Sequence, residues 1–104
     1  MDKPLRITFD NLQPSEAVEA DVRSRMARLD AICDRMTGAR VVIGSPHRGP
    51  TRAKTYAVRI ELALPGHDLV VSREPVGDLQ GAMTAAFEVA RRRLRGIVER
   101  SRGA

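Results

Sequence analysis

The stretch Thr55-Tyr-Ala-Val-Arg-Ile-Glu-Leu-Ala-Leu-Pro-Gly-His-Asp-Leu-Val-Val-Ser-Arg73 decides the fold. Tyr56, Val58, Ile60, Leu62 and Leu64 alternate with Thr55, Ala57, Arg59, Glu61 and Ala63. Apolar residues at every second position put one face of a strand in a core and the other in water. Pro65-Gly66 fits the middle of a type II turn, since proline presets the first central φ and glycine accepts the positive second one. Leu69 to Ser72 returns as another strand, so residues 55–73 read as a hairpin with one apolar face. That face needs a cover, and the flanking sequence supplies it.

Downstream, Glu74 to Asp78 is a loop containing Pro75 and Gly77. A helix then runs from about 79 to 100, with Met83, Phe87, Ala90, Leu94, Ile97 and Val98 forming one apolar stripe. Upstream, Pro46-His47-Arg48-Gly49-Pro50-Thr51-Arg52-Ala53-Lys54 reads as a solvated loop, preceded by a β-branched strand from Arg40 to Ser45. Before it, Val18, Val22, Met26, Leu29, Ile32, Cys33 and Met36 recur at spacings of three and four. They predict a helix over about 16–36. Ser15 is its N-cap, Glu16 and Glu19 suit its positive N-terminal pole, and Gly38 is expected as a left-handed cap past its end. Leu5, Ile7 and Phe9 alternate with Arg6, Thr8 and Asp10 as a first strand, closed by the break at Asn11 to Pro14.

The order is strand, helix, three strands, helix: an α+β fold of βαβββα type, a four-stranded sheet with both helices packed on one face. The 104 residues suffice for a single domain, 1–104. Phe9, Tyr56 and Phe87 are the only aromatics, so the core is aliphatic. The other sheet face carries Arg6, Thr8, Arg59 and Glu61. It lacks the exposed aromatic pair on which a base-stacking platform depends.

The chemistry of small-molecule turnover finds little to work with. Cys33 is the sole cysteine, which excludes an internal disulfide, and it falls on an apolar helix face. His47 and His67 lie in or beside turns without metal-ligand spacing to a cysteine or carboxylate. Gly44, Gly49 and Gly77 are isolated, so no phosphate-cradling loop is present. We expect no catalytic residue, metal, cofactor or small-molecule substrate. No apolar run spans a bilayer and the N-terminus lacks a signal peptide's apolar core, so the expected setting is cytoplasmic and away from membranes.

What remains is cation. The formal net charge is +5, and sixteen of the eighteen basic residues are arginine, only Lys3 and Lys54 being lysine. Arginine presents a planar fork of donors that matches phosphate. Six arginines crowd the last fourteen residues: Arg91, Arg92, Arg93, Arg95, Arg100 and Arg102. Two further clusters are Arg23, Arg25 and Arg28 on the first helix and Arg48, Arg52 and Lys54 in the loop. Taken singly, each is explained by a solvated face with local ion pairs, such as Asp21 with Arg25 or Asp30 with Arg23 or Arg35. Two neighbouring helices merge two clusters into one groove, and the combination favours a phosphate-binding surface. The expected RNA contacts are Arg23, Arg25, Arg28, Arg48, Arg52, Lys54, Arg91, Arg92 and Arg95.

Leu5-Arg-Ile-Thr-Phe-Asp-Asn-Leu12, the helix opening at Ser15-Glu-Ala-Val-Glu-Ala-Asp-Val-Arg-Ser-Arg-Met-Ala-Arg-Leu29, the run Leu69-Val-Val-Ser-Arg-Glu-Pro75 and the stretch Ala82-Met-Thr-Ala-Ala-Phe-Glu-Val-Ala-Arg-Arg-Arg-Leu94 together resemble one family. It is the ribosome hibernation promoting factor or ribosome-associated translation inhibitor family, also called sigma-54 modulation protein. The resemblance spans about residues 4–100. It implies a fold similar to the double-stranded-RNA-binding domain. It further implies binding to the small ribosomal subunit between head and body, over the mRNA and tRNA positions of the decoding region. Arg25 and Arg28 match basic positions of the family's first helix and Arg92 that of its second. Val89 stands where many relatives carry Lys and Gln80 where many carry Tyr. Arg91, Arg93 and Arg95 are expected to compensate for the missing Lys. The chain carries neither an acidic tail nor an added ribosome-pairing domain, so autonomous dimerisation of ribosomes is not expected. Two other readings stay open: a basic module that meets an acidic protein, with homodimerisation through a sheet edge as one form of it, and a binder of duplex RNA away from the ribosome.

Overall fold

The computed structural model describes residues 3–46 and 54–103. The elements run β1 (Leu5–Asp10), α1 (Glu16–Ile32), β2 (Gly38–Gly44), β3 (Ala57–Leu64), β4 (His67–Ser72) and α2 (Leu79–Gly103). This is the βαβββα order expected. The four strands lie in the order β1-β2-β3-β4. β1 and β2 are parallel, and the other two pairs are antiparallel.

The register explains the core. Ile7, Val41, Ile60 and Val71 stand side by side across the sheet, and Phe9, Ile43 and Val58 form the next row. Because side chains alternate faces along a strand, these rows share one side. Val22, Met26 and Leu29 of α1 and Met83, Phe87, Ala90 and Leu94 of α2 close over it. Phe87 is the one buried aromatic among the described residues, so the interior is aliphatic as composition required. The opposite sheet face presents Arg6, Arg40, Arg59 and Glu61. Arg59 Nε donates to Glu61 at 2.8 Å. That hydrogen bond holds the Glu61 carboxyl below its ordinary value, partly opposed by desolvation and aided by the Arg59 and Arg40 charges.

Several boundaries depart from the sequence reading. α1 stops at Ile32, not near 36: Cys33 takes an extended φ of −140°. The apolar period continues through Cys33 and Met36 because both are still buried, now from a turn instead of a helix. Gly38 is not a left-handed cap. It opens β2 opposite Ala63, and among the described residues positive φ occurs at Asn11 and Gly66. Asn11 takes φ 57°, a region that asparagine enters more readily than most residues; its Nδ2 donates to the carbonyl of distant Ser45 at 2.8 Å. The hairpin is tighter than expected, with β4 starting at His67 directly after Pro65-Gly66. Gly66 takes φ 84°, the positive value that the turn demanded. Tyr56 stays outside β3 and bridges Val76 instead.

Candidate nucleic-acid interface

Each helix is positioned by its cap. Ser15 Oγ accepts from Val18 N–H at 3.3 Å, as the sequence indicated. At α2 both Asp78 carboxylate oxygens accept from successive backbone N–H groups, those of Gln80 and Gly81. A Cβ at Gly81 would lie 2.9 Å from Asp78 Oδ2, so glycine there leaves room for the cap.

The helices run parallel. Where the middle of α1 meets the start of α2, Arg25 Nε donates to Asp21 Oδ1 at 3.0 Å and Arg25 Nη2 to Gln80 Oε1 at 3.3 Å, while Gln80 Nε2 donates to Asp21 Oδ2 at 3.3 Å. This closed ring ties α1 to α2. Towards their C-terminal ends, Ile32 and Cys33 share one cleft with Ile97 and Val98. A seam therefore runs between the helices on the outer surface of the protein.

Helical geometry distributes the arginines about that seam. At about 100° per residue, Arg91 lies about 20° and Arg95 about 60° from Gln80 around α2, both on the flank turned to α1. Arg92 lies about 120° away, on the outward crest. Arg28 is about 60° from Arg25 and shares its side of α1. The flanks beside the seam thus carry Arg25 and Arg28 on α1 and Arg91 and Arg95 on α2, with Arg92 on the adjoining crest; at 1.5 Å per residue the α2 set begins about 16 Å beyond Gln80. Arg23 is not part of this set. It stands about 200° from Arg25 and about 20° from Asp30, and Asp30 takes Lys3 as its partner at 2.9 Å, not Arg23 or Arg35. Lys54 lies beside Asn11 to Pro14, ahead of α1. Arg48, Arg52 and His47 fall outside the described residues, as does the side chain of Arg102.

The assembled arginines differ in availability. Arg25 is engaged by Asp21 and Gln80, and its side chain is only 21% exposed. Arg91 donates to Glu88 from Nε at 3.0 Å and again from Nη2. Those bonds hold the Glu88 carboxyl below its ordinary value against some desolvation, with the Arg91 and Arg92 charges adding to the effect, and they raise Arg91 in turn. Arg92 stands 4.0 Å from the same carboxylate and is 65% exposed. Arg28 and Arg95 have no ion-pair partner among the described residues. The surface is therefore a graded one: two cations held by acids, one loosely held, two open. Pair formation of Arg25 with Asp21 was legible from the i,i+4 spacing. The contact across to Gln80, 55 residues away, was not.

Among the described residues no group of three His, Cys, Asp or Glu side chains could hold a metal ion. Nor is any described helix long and apolar enough to cross a membrane.

Fold and surface together define a two-layer α+β domain whose helical face carries arginines from both helices. The chain belongs to the sigma 54 modulation protein / S30EA ribosomal protein family, whose model matches residues 5–102. Comparison with curated proteins gives no match. Among solved structures, the N-terminal domain of Protein Y from Thermus thermophilus is similar at TM-score 0.74 and 23% identity, over 90% of this chain and 98% of that one. A ribosomal subunit interface protein from Coxiella burnetii is similar at TM-score 0.75 and 11% identity, over 92% of this chain and 98% of that one. At these identities the two likenesses speak for the fold.

Proposed function

We propose that the protein is a non-enzymatic, cytoplasmic ribosome-binding factor. Its helical face docks on RNA of the small subunit near the decoding region, and its folded body occupies space that mRNA and tRNA need. Translation is held off reversibly while the factor stays bound. The observation that carries this reading is the placement of Arg25 and Arg28 on one side of the seam and Arg91 and Arg95 on the other, with Arg92 on the adjoining crest, offset by Asp21 and Glu88. Family membership supports it, and the structures similar to this chain include a ribosomal subunit interface protein. Contacts of this kind grip phosphates and supply affinity without base readout, so recognition is by the shape of folded RNA.

The test is co-sedimentation with small subunits over a salt series. Binding should weaken steeply, log K falling by about 0.7–0.9 per phosphate neutralised for each unit of log salt. The variant carrying Arg25→Glu, Arg28→Glu and Arg92→Glu should fold and fail to bind. Arg23→Glu, on the other flank of α1, should bind nearly as wild type. Salt-indifferent binding, or equal losses from Arg23→Glu and the triple variant, would refute this interface. Capture of a discrete acidic protein that survives ribonuclease would instead favour the protein-partner reading.

A further inference from the structure

The second flank of α2 carries a feature that the seam does not use. Arg93 lies about 140° from Gln80 around α2, turned away from α1. Its Nη1 donates to the carbonyl of Val70 at 3.3 Å. Val70 belongs to β4, the strand at that margin of the sheet. Arg73 follows immediately after β4. Arg73, Arg92 and Arg93 line one shallow notch with Val89.

Three arginines and no acidic residue line this notch. Arg73 has no ion pair or hydrogen bond among the described residues, Arg92 has only the 4.0 Å approach of Glu88, and Arg93 is held by a neutral carbonyl. Three like charges facing a single carboxylate, which is itself bonded to Arg91, are mutually unfavourable, and a bound anion reverses that sign. The backbone carbonyl also orients Arg93 while leaving its other N–H donors open, since the guanidinium has five. A group with several anionic or lone-pair oxygens and tetrahedral reach suits this arrangement better than a planar carboxylate, which one fork alone would satisfy.

The geometry points to a phosphate site at Arg73, Arg92 and Arg93, occupied by a backbone phosphate of the bound RNA. This rests on the RNA reading above and extends it. Arg92 on the crest belongs to both sides. The RNA contact then does not stop at the interhelical seam but straddles α2, whose width with side chains is about 10–12 Å. Arg73, which lies on no helix, becomes part of the interface.

The experiment compares wild type with Arg73→Gln and Arg93→Lys in small-subunit binding from about 50 to 200 mM salt. Loss of one phosphate contact lowers the salt slope by about 0.9, so the fall in affinity across that range should be about 3.5-fold smaller for Arg73→Gln. Arg93→Lys keeps the charge but not the fork, and should weaken binding with little change of slope. Thermal unfolding of each variant checks that the β4 margin is intact. If wild type binds and Arg73→Gln tracks it at every salt concentration, the notch is not a contact and the inference is overturned while the seam stands. If wild type does not bind subunits, the RNA reading falls, and the notch is judged by titrating inorganic phosphate against arginine Nε resonances. Shifts confined to Arg73, Arg92 and Arg93 sustain a phosphate site there; none, or equal shifts at all arginines, overturn it.

Discussion

Glu88 sits where it restrains two cations of the proposed interface, so Glu88→Gln should improve RNA binding. The carboxylate takes two hydrogen bonds from Arg91 and stands 4.0 Å from Arg92 Nε. Glutamine keeps the size but not the charge, and Arg91 becomes free to neutralise a phosphate. Each additional phosphate neutralised steepens the dependence of log K on log salt by about 0.9. From about 200 down to 50 mM salt, the variant's advantage over wild type should therefore grow about 3.5-fold for one released arginine and about 12-fold if Arg92 is released too. The assay is filter binding or sedimentation of small subunits at four or more salt concentrations. Folding should be almost untouched, because exposed ion pairs contribute little. The pH dependence gives an internal check. The Glu88 carboxyl is lowered from 4.5 chiefly by the Arg91 hydrogen bond. A lowered carboxylate contributes stability that is present above its unfolded value and lost as pH falls through the folded one. Any stability gap between wild type and Glu88→Gln should thus close as pH drops below about 4.5. Parallel salt slopes for the two proteins would refute the view that Glu88 masks phosphate-binding arginines.

Two predictions concern the frame that holds the interface. Leu94→Ala empties a fully buried position on α2 (0% exposed) and should cost about 2–5 kcal/mol, read by urea unfolding with far-UV circular dichroism; a loss well under 1 kcal/mol would mean the helix is not pinned there. Gly66→Ala meets open space, so any penalty comes from its φ of 84° alone; a loss of about 1 kcal/mol is expected in the same assay, and a gain would contradict the turn geometry.

The hairpin, both apolar stripes and the polar outer sheet face were readable because period two and period 3.6 leave distinct marks. The end of α1 was not, because burial of Cys33 and Met36 keeps the helical period going after the helical hydrogen bonds have ceased. Gly38 misled for a related reason: a glycine shortly after an apolar stripe resembles a cap, yet here it begins a strand. In the interface, spacing alone assigned Arg91 and Arg95 to one flank of α2 and Arg93 to the other. Grouping Arg23 with Arg25 and Arg28 treated proximity in sequence as proximity in space, although two residues on a helix are nearly opposite. The ring of Asp21, Arg25 and Gln80, the Lys3–Asp30 pair and the nearness of Arg73 to Arg92 all join distant segments, so no local pattern announces them.

Because α1 and α2 point the same way, their peptide dipoles reinforce each other rather than cancel. Both amino ends carry partial positive charge at one pole of the domain, and both carboxyl ends leave partial negative charge at the other. The arginines from Arg91 to Arg100 occupy the half of α2 nearest that negative pole. On α2, side-chain charge thus takes over where the backbone's own field changes sign, while at the amino ends Glu16, Glu19 and Asp78 sit against the positive dipole ends and offset them.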